Sequence, residues 1–124
     1  MTGLLDTVVL VDILRAFPAA TAWLSGQDQL GVSPIVWLEI IEGAKNAGDQ
    51  ARAVKLLQLF ERIEILPIDF DWAIQQALRF RLSHNVDMMD CLLAASAKRL
   101  GLPLFTHNLK HFQPMIGNLA QKPY

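Results

Sequence analysis

The chain has 124 residues, of which 52% are apolar and 19% charged, and its formal net charge is −1. This charge balance excludes a broadly basic nucleic-acid binder, so contact with RNA or DNA must come from local basic clusters or from bound metal. The one cysteine, Cys91, excludes an internal disulfide and favours a reducing cytoplasm. No apolar run is long enough to span a bilayer, and Asp6 and Asp12 interrupt the N-terminal one, which argues against a signal peptide and a membrane location.

Short strands alternate with helices along the chain, which predicts one α/β domain over residues 1–124. Strands are predicted at Gly3–Asp6, Gln29–Val32, Ile63–Pro67 and Leu102–Phe105, with an edge strand in the last residues. Helices are predicted at Thr7–Arg15, Pro18–Leu24, Pro34–Ala47, Asp49–Ile63, Asp69–Leu82 and Asp90–Gly101, with a turn or helix at Leu109–Phe112. Helices between single strands imply a mostly parallel sheet in a three-layer α/β/α sandwich.

The segment Asp90–Gly101 is the apolar centre of the sequence. Apart from Ser96 and the Lys98-Arg99 pair it is apolar or small on all sides, which predicts a helix buried in the core. Its first residue is nevertheless a carboxylate, in the positive field of a helix N-terminus.

Two further acids interrupt apolar runs. Asp6 ends the first strand, and Glu39 lies within Ile35–Ile41. A lone acid in such a run is costly unless it is paired, hydrogen-bonded or bound to metal. Because α/β proteins place their sites at the carboxyl ends of strands, Asp6, Glu39 and Asp90 are expected to share one crevice with Asn108, which follows the fourth strand.

Structural explanations exist for several acids. Asp87 is predicted to cap the central helix, and Asp69 the helix before it. Asp12 is either a solvated helix residue or an acid supporting the site. A basic rim for phosphates is predicted from residues that are individually ordinary solvated charges: Arg79, Arg81, Lys98, Arg99 and Lys110. An RNA-contact role is also open to His107.

Four segments in order resemble the motifs of the PIN-domain family. They are Asp6-Thr7-Val8-Val9-Leu10-Val11-Asp12, Glu39-Ile40-Ile41-Glu42-Gly43-Ala44, Asp90-Cys91-Leu92-Leu93-Ala94-Ala95 and Thr106-His107-Asn108-Leu109-Lys110-His111-Phe112. Their order and spacing hold over the whole chain, which is similar to the VapC-type toxins of bacterial toxin–antitoxin pairs.

The resemblance implies a PIN-like fold and a Mg²⁺-dependent endoribonuclease in which Asp6, Glu39 and Asp90 are catalytic and hold the metal. Asn108 stands where many relatives have Asp, and is a further metal ligand or outer-shell donor. Mn²⁺ is expected to substitute, since the donors are all oxygen. Thr7 is expected to orient Asp6 or to bind the scissile phosphate, and Asp87 and Asp12 to support the ligands.

The implied partners are an RNA substrate, a cognate antitoxin and a second copy of the chain. The apolar excess favours such partners, because it predicts more apolar surface than one small domain can hide. The expected antitoxin groove lies between the Thr7–Leu24 helices and the Asp49–Ile63 helix. Its expected contacts are Phe17, Trp23, Leu24, Val54 and Leu59.

Two other functions remain open. Val8, Asn108 and His111 depart from the family pattern, which is the evidence for a PIN-like interaction module that binds RNA or protein without cleaving. A phosphotransfer or phosphatase domain with Asp6 as nucleophile is disfavoured, because no second acid stands two residues after Asp6.

Overall fold

A computed structural model describes residues 1–124 and has a five-stranded sheet in the order β3-β2-β1-β4-β5. The strands are β1 (Gly3–Leu5), β2 (Leu30–Val32), β3 (Glu61–Arg62), β4 (Leu104–Phe105) and β5 (Ala120–Gln121). Every neighbouring pair is parallel. The chain therefore builds one side of the sheet from β1 outwards, and then crosses to the other side at β4.

Seven helices connect and follow the strands. They are α1 (Thr7–Leu14), α2 (Pro18–Ser25), α3 (Pro34–Gly43), α4 (Ala47–Leu57), α5 (Pro67–His84), α6 (Met88–Leu100) and α7 (Leu109–Ile116). Helices α1, α3 and α4 pack on one another, and so do α5, α6 and α7. The predicted three-layer α/β/α architecture is confirmed, and the sheet is wholly parallel.

Helix α6 is the buried centre that its composition predicts. Seven consecutive residues, from Cys91 to Ala97, are buried. Asp87 caps the helix by accepting from the Met89 amide at 2.8 Å, and Gly101 ends it with a φ of 64°, in the left-handed region that favours glycine. Because both ends are fixed, Asp90 is held in the first turn at the edge of the core.

The segment between α4 and α5 differs from the prediction. Helix α4 ends at Leu57, not at Ile63, and the third strand is Glu61–Arg62, not Ile63–Pro67. Both strand residues are exposed at the sheet edge, so they carry none of the apolar alternation by which strands are recognised. Helix α3 likewise ends at Gly43 instead of Ala47, since Asn46 caps α4 by accepting from the Asp49 amide.

Asp69 is not the cap of α5, as its position predicts. The helix begins at Pro67, and Asp69 is its third residue, with a carboxylate that accepts from the Leu66 amide at 2.9 Å. The same carboxylate is 1% exposed and pairs with Arg99.

No single helix is long and apolar enough to cross a membrane. The pair Thr7–Leu14 and Pro18–Ser25 passes that test jointly by length and composition, and is bent by 108°.

Candidate functional site

The carboxyl ends of β1 and β4 meet where the chain changes sides of the sheet. Leu5 pairs with Phe105, so the next residues, Asp6 and Thr106, leave the sheet side by side. The Thr106 hydroxyl donates to Asp6 Oδ2 at 2.7 Å, and both residues are buried. This is the position at which open parallel sheets place their ligands.

Thr7 joins Asp6 to Glu39. Its amide donates to Asp6 Oδ1 at 2.8 Å, because Asp6 is the N-cap of α1, and its hydroxyl donates to Glu39 Oε1 at 3.0 Å. The hydroxyl therefore positions Glu39 and not Asp6, which is held by the Thr7 backbone. Glu39 lies on α3, so three consecutive links fix the relation between β4, α1 and α3.

Asp90 completes the set from the first turn of α6. It is half-buried, and burial raises its pKa from 3.8 to about 7, with the charges of Asp6, Asp87 and Glu39 adding to the rise. Because such charge effects act over short distances, Asp90 lies near the other acids. The structure thus gathers Asp6, Glu39 and Asp90, as expected from the sequence, from three separate elements.

The other two carboxyls respond to the same environment. Burial raises the pKa of Asp6, although hydrogen bonds from Thr106 and Thr7 and the charge of His107 oppose the rise. Burial also raises the pKa of Glu39, with the Thr7 hydrogen bond opposing it and Asp6 and other acids adding to it. Each ionised carboxylate is therefore short of positive charge.

No lysine or arginine forms an ion pair with these three carboxylates. The two ion pairs of the structure are Arg52 with Asp49 and Arg99 with Asp69, both elsewhere. The donors of the cluster are all oxygen, which suits a hard divalent cation. In the present rotamers no three acids, histidines or cysteines are close enough to ligate one ion directly. Because Mg²⁺ keeps several waters, ligation partly through water fits these residues.

Asn108 reaches the acids only through Thr106. The backbone N–H of Asn108 donates to the Thr106 hydroxyl at 2.9 Å, and its side-chain Nδ2 is hydrogen-bonded with His111 Nδ1 at 3.1 Å. Thr106 was not among the residues expected to function from the sequence. The signal was its place directly after a buried strand, one residue beyond the carboxyl end of β4.

The remaining acids surround this cluster at different distances. Asp87 is the exposed cap of α6, and its charge raises the pKa of both Glu39 and Asp90. Asp12 lies further along α1 and accepts from the Tyr124 hydroxyl at 2.6 Å.

The predicted basic rim is divided by the fold. Arg99 is excluded from it, because its guanidinium, at the far end of α6, pairs with Asp69 at 2.9 Å. Arg81 is exposed and donates to the Val86 carbonyl at 3.0 Å, next to the α6 cap. Arg79 and Lys110 are exposed. His107 is exposed and directly follows Thr106, the residue that donates to Asp6.

A groove of about 270 Å³ between α1, α3 and α4 reaches Glu39. Its apolar lining includes Val11, Leu14, Ile40 and Ala53, and its rim carries charged side chains: Arg15, Lys45, Asp49 and Arg52. The expected groove is present in part: α1 and α4 border it, but α3 takes the place expected for α2, and none of the expected contacts, Phe17, Trp23, Leu24, Val54 and Leu59, lines it. Of these five residues only Val54 is on a helix that borders the groove, because apolar character alone does not indicate which surfaces are left unfilled.

The sequence matches the family model described as PIN domain over residues 3–113. The chain belongs to the PIN-domain family. Ribonucleases of this family generally depend on a divalent metal.

Curated PIN-domain relatives extend the match to nearly the full length. Ribonuclease VapC19 of Mycobacterium tuberculosis is 32% identical over 129 aligned positions, which cover 98% of each chain. Ribonuclease VapC of Rickettsia bellii is 25% identical over 118 positions, covering 89% of this chain and 87% of the relative. The resemblance to VapC-type members is confirmed.

Solved structures agree with this assignment. A toxin–antitoxin complex from Klebsiella pneumoniae contains a chain that is 27% identical, with a TM-score of 0.76 and coverage of 98% on both sides. VapBC2 from Rickettsia felis, bound to a DNA fragment from its promoter, has a TM-score of 0.77 at 21% identity, with coverage of 94% and 95%. At that identity the second likeness bears on the PIN fold alone.

Proposed function

We propose that this chain is the toxin of a VapBC-type toxin–antitoxin pair, a Mg²⁺-dependent endoribonuclease of the cytoplasm made of one PIN-like domain, residues 1–124. The observation that carries the proposal is the cluster of Asp6, Glu39 and Asp90 at the carboxyl edge of the sheet, without a basic partner. Relatives named ribonuclease along the whole chain support the same reaction.

Each acid has a role that follows from its position. Asp6 and Asp90 are the primary metal ligands, since both are recessed at the edge of the core and neither forms an ion pair. When bound, the metal lowers the pKa of a water and neutralises charge on the phosphate. Glu39 Oε1 is held by Thr7, which leaves Oε2 to accept the proton of the attacking water.

Thr106 and Asn108 hold the primary ligand in place. The backbone N–H of Asn108 donates to the Thr106 hydroxyl, which in turn donates to Asp6. These two hydrogen bonds fix the Asp6 carboxylate, as outer-shell donors do in metal sites. The side-chain carboxamide of Asn108 supplies a further oxygen ligand to the metal if it rotates away from His111. Mn²⁺ replaces Mg²⁺ in this arrangement, because both accept oxygen donors.

The antitoxin binds the groove between α1, α3 and α4. The similar chain of the Klebsiella pneumoniae toxin–antitoxin complex supports such a partner. The apolar floor beside Leu14 and Ile40 suits the apolar face of an amphipathic segment. Because the groove ends at Glu39, a basic side chain from that segment can pair with the acids and exclude the metal.

A second copy of the chain binds the exposed face of α5. Ile74, Leu78 and Leu82 are spaced four residues apart and are 58%, 81% and 99% exposed. They continue into an apolar cleft with Phe70, Met88 and Met89. An uncharged row that packs on itself across a two-fold axis makes a homodimer, which accounts for the apolar excess of the sequence.

The test of the enzymatic proposal is cleavage of single-stranded RNA by the purified chain. We expect internal cuts with Mg²⁺ or Mn²⁺, a complete stop on chelation, and recovery when metal is restored. The cognate antitoxin should also stop cleavage, and Leu14→Glu should relieve that inhibition while Leu78→Glu should not. If the chain binds RNA and antitoxin but cleaves RNA with neither Mg²⁺ nor Mn²⁺, it is the non-cleaving interaction module instead.

A further inference from the structure

A second pocket lies beside the acids, on a different face of α1 from the groove. It has a volume of about 450 Å³ and is lined by Val8, Asp12, Phe17, Ala19, His107, Lys122 and Tyr124. Val8 is two residues from Asp6, and His107 follows the threonine that holds Asp6. The pocket therefore adjoins Asp6 through the residues that follow β1 and β4 in the chain.

Aromatic rings form the walls of this pocket. The rings of His107 and Tyr124 are 4.6 Å apart at 63°, and those of Phe17 and Tyr124 are 6.1 Å apart at 51°. Phe17 is 47% exposed and Val8 is 50% exposed, so the walls remain open to a ligand. Such open aromatic surfaces are what nucleobases stack on in single-stranded nucleic-acid sites.

The pocket is also fixed in shape. The Tyr124 hydroxyl donates to Asp12 Oδ2 at 2.6 Å, and the ring lies 6.1 Å from Trp23, which packs edge-on against Phe105 at 4.9 Å. Burial and the Asp12 contact raise the pKa of Tyr124, so the hydroxyl stays protonated and keeps donating. A rigid ring costs little conformational entropy when a base packs on it.

Positive charge stands at the mouth. Lys122 supplies this charge, while the one acidic side chain of the lining, Asp12, is engaged by Tyr124. This combination of aromatic wall, apolar side chain and one lysine matches a base joined to a phosphate.

We infer that this pocket, formed by Val8, Phe17, His107, Lys122 and Tyr124, binds the nucleobase next to the scissile phosphate of an RNA substrate. The inference rests on the proposed ribonuclease function and extends it to substrate selection. Bases stack on Phe17 and Tyr124, and Lys122 contacts the adjoining phosphate. The pocket then contributes to the choice of cleavage sequence.

The first test maps binding without cleavage. Nuclear magnetic resonance titration of the full chain with AMP, GMP, CMP and UMP, in chelator, should shift the amides of Val8, His107 and Tyr124. Phe17→Ala should weaken this binding by about tenfold. Phe70→Ala is the matched control, since Phe70 is 49% exposed in the α5 cleft, and it should leave the titration unchanged.

The second test uses cleavage. Removing the base beside the cut site, with an abasic nucleotide, should lower kcat/KM of the wild type by about tenfold. In Phe17→Ala the same abasic substitution should cost less than in the wild type, because the two changes share the contact between the base and Phe17. Lys122→Ala should raise KM for both substrates, with kcat unchanged.

The outcomes separate this inference from the proposed function. Nucleotide shifts at the pocket without RNA cleavage would support the pocket and count against the ribonuclease. Cleavage with equal abasic penalties in wild type and Phe17→Ala, or shifts confined to the α1/α3/α4 groove, would overturn the pocket. So would a Phe17→Ala variant that loses only antitoxin binding, which would assign the surface to a protein partner.

Discussion

The two ends of α6 lie beside carboxylates in opposite electrostatic surroundings: Asp69 of α5, which is buried, and Asp90 of α6 itself, which is half-buried. Near the C-terminal end, Arg99 binds both oxygens of Asp69, at 2.9 and 3.1 Å, and also donates to the Glu64 carbonyl. Near the N-terminal end, nine residues or about 13 Å away along the helix, Asp90 has acids for neighbours and no basic partner.

This difference separates a structural acid from a functional one. A buried carboxylate that is fully paired is costly to unpair and has no oxygen left to offer a ligand. A cluster of unpaired carboxylates stores repulsion that an added cation relieves. The same helix therefore anchors α5 at one end and carries a ligand of the proposed metal site at the other.

Substituting the unpaired acids should have the largest effect, and on activity alone. Asp6→Asn, Glu39→Gln and Asp90→Asn should each lower kcat for RNA cleavage by about 10²–10³-fold, as when one preorganised charge-stabilising group is removed. The metal-free variants should unfold no more easily than the wild type, because repulsion is reduced. Cleavage by Asp90→Asn at the wild-type rate would remove it from the site.

The paired acid should behave in the opposite way. Asp69→Asn should lower the free energy of unfolding by about 3 kcal/mol, since Arg99 then loses its charge partner in a partly buried position. Urea denaturation measures this, and the folded fraction should cut RNA normally. Asp71→Asn, an exposed acid of the same helix turn, is the control and should change nothing; equal stability of both variants would contradict the comparison.

The hydrogen bond from Thr106 should contribute to the activity of the unpaired acids. Thr106→Val removes the donor to Asp6 and should lower kcat/KM by about tenfold, as loss of an outer-shell partner does. The pKa of Asp6 should rise, so the acid limb of the pH–rate profile should move to higher pH. Thr106→Ser keeps the hydroxyl and should restore both quantities, whereas a purely steric role would give no shift of the profile.

The stability of the metal-free protein should depend on pH through Asp90. Its pKa is 3.8 ordinarily and about 7 in the fold, so between these values the folded protein binds more protons than the unfolded chain. Stability is therefore full below the lower value and falls as pH rises towards about 7. In chelator, the wild type should melt a few degrees lower at pH 8 than at pH 5. Asp90→Asn should reduce the change in melting temperature between pH 5 and pH 8. An unchanged difference in this variant would show that another group causes the pH dependence.

The sequence predicted the elements whose residues carry strong local signals. Asp6, Glu39 and Asp90 stand out because each is a charge in an apolar run, and helix α6 because it is apolar on all sides. Asp87 was read correctly as a cap, since capping depends on residues adjacent in the chain.

Long-range partners explain what the sequence did not predict. Asp69 resembles a helix cap locally, but its main partner is Arg99, thirty residues away. Thr106 acts on Asp6 across the sheet, at a separation of one hundred residues. Neither pairing leaves a periodic or spacing signal, so only the register of β1 and β4, or the packing of α5 on α6, brings them out.

The central claim is that the unpaired acids hold a divalent cation. Calorimetric titration of Mn²⁺ into wild type, Asp90→Asn and Asp71→Asn tests it most directly, without dependence on the RNA substrate. The account predicts equal binding by the wild type and Asp71→Asn, and at least about tenfold weaker binding by Asp90→Asn. Equal affinity in all three proteins, or no binding by the wild type, would contradict it.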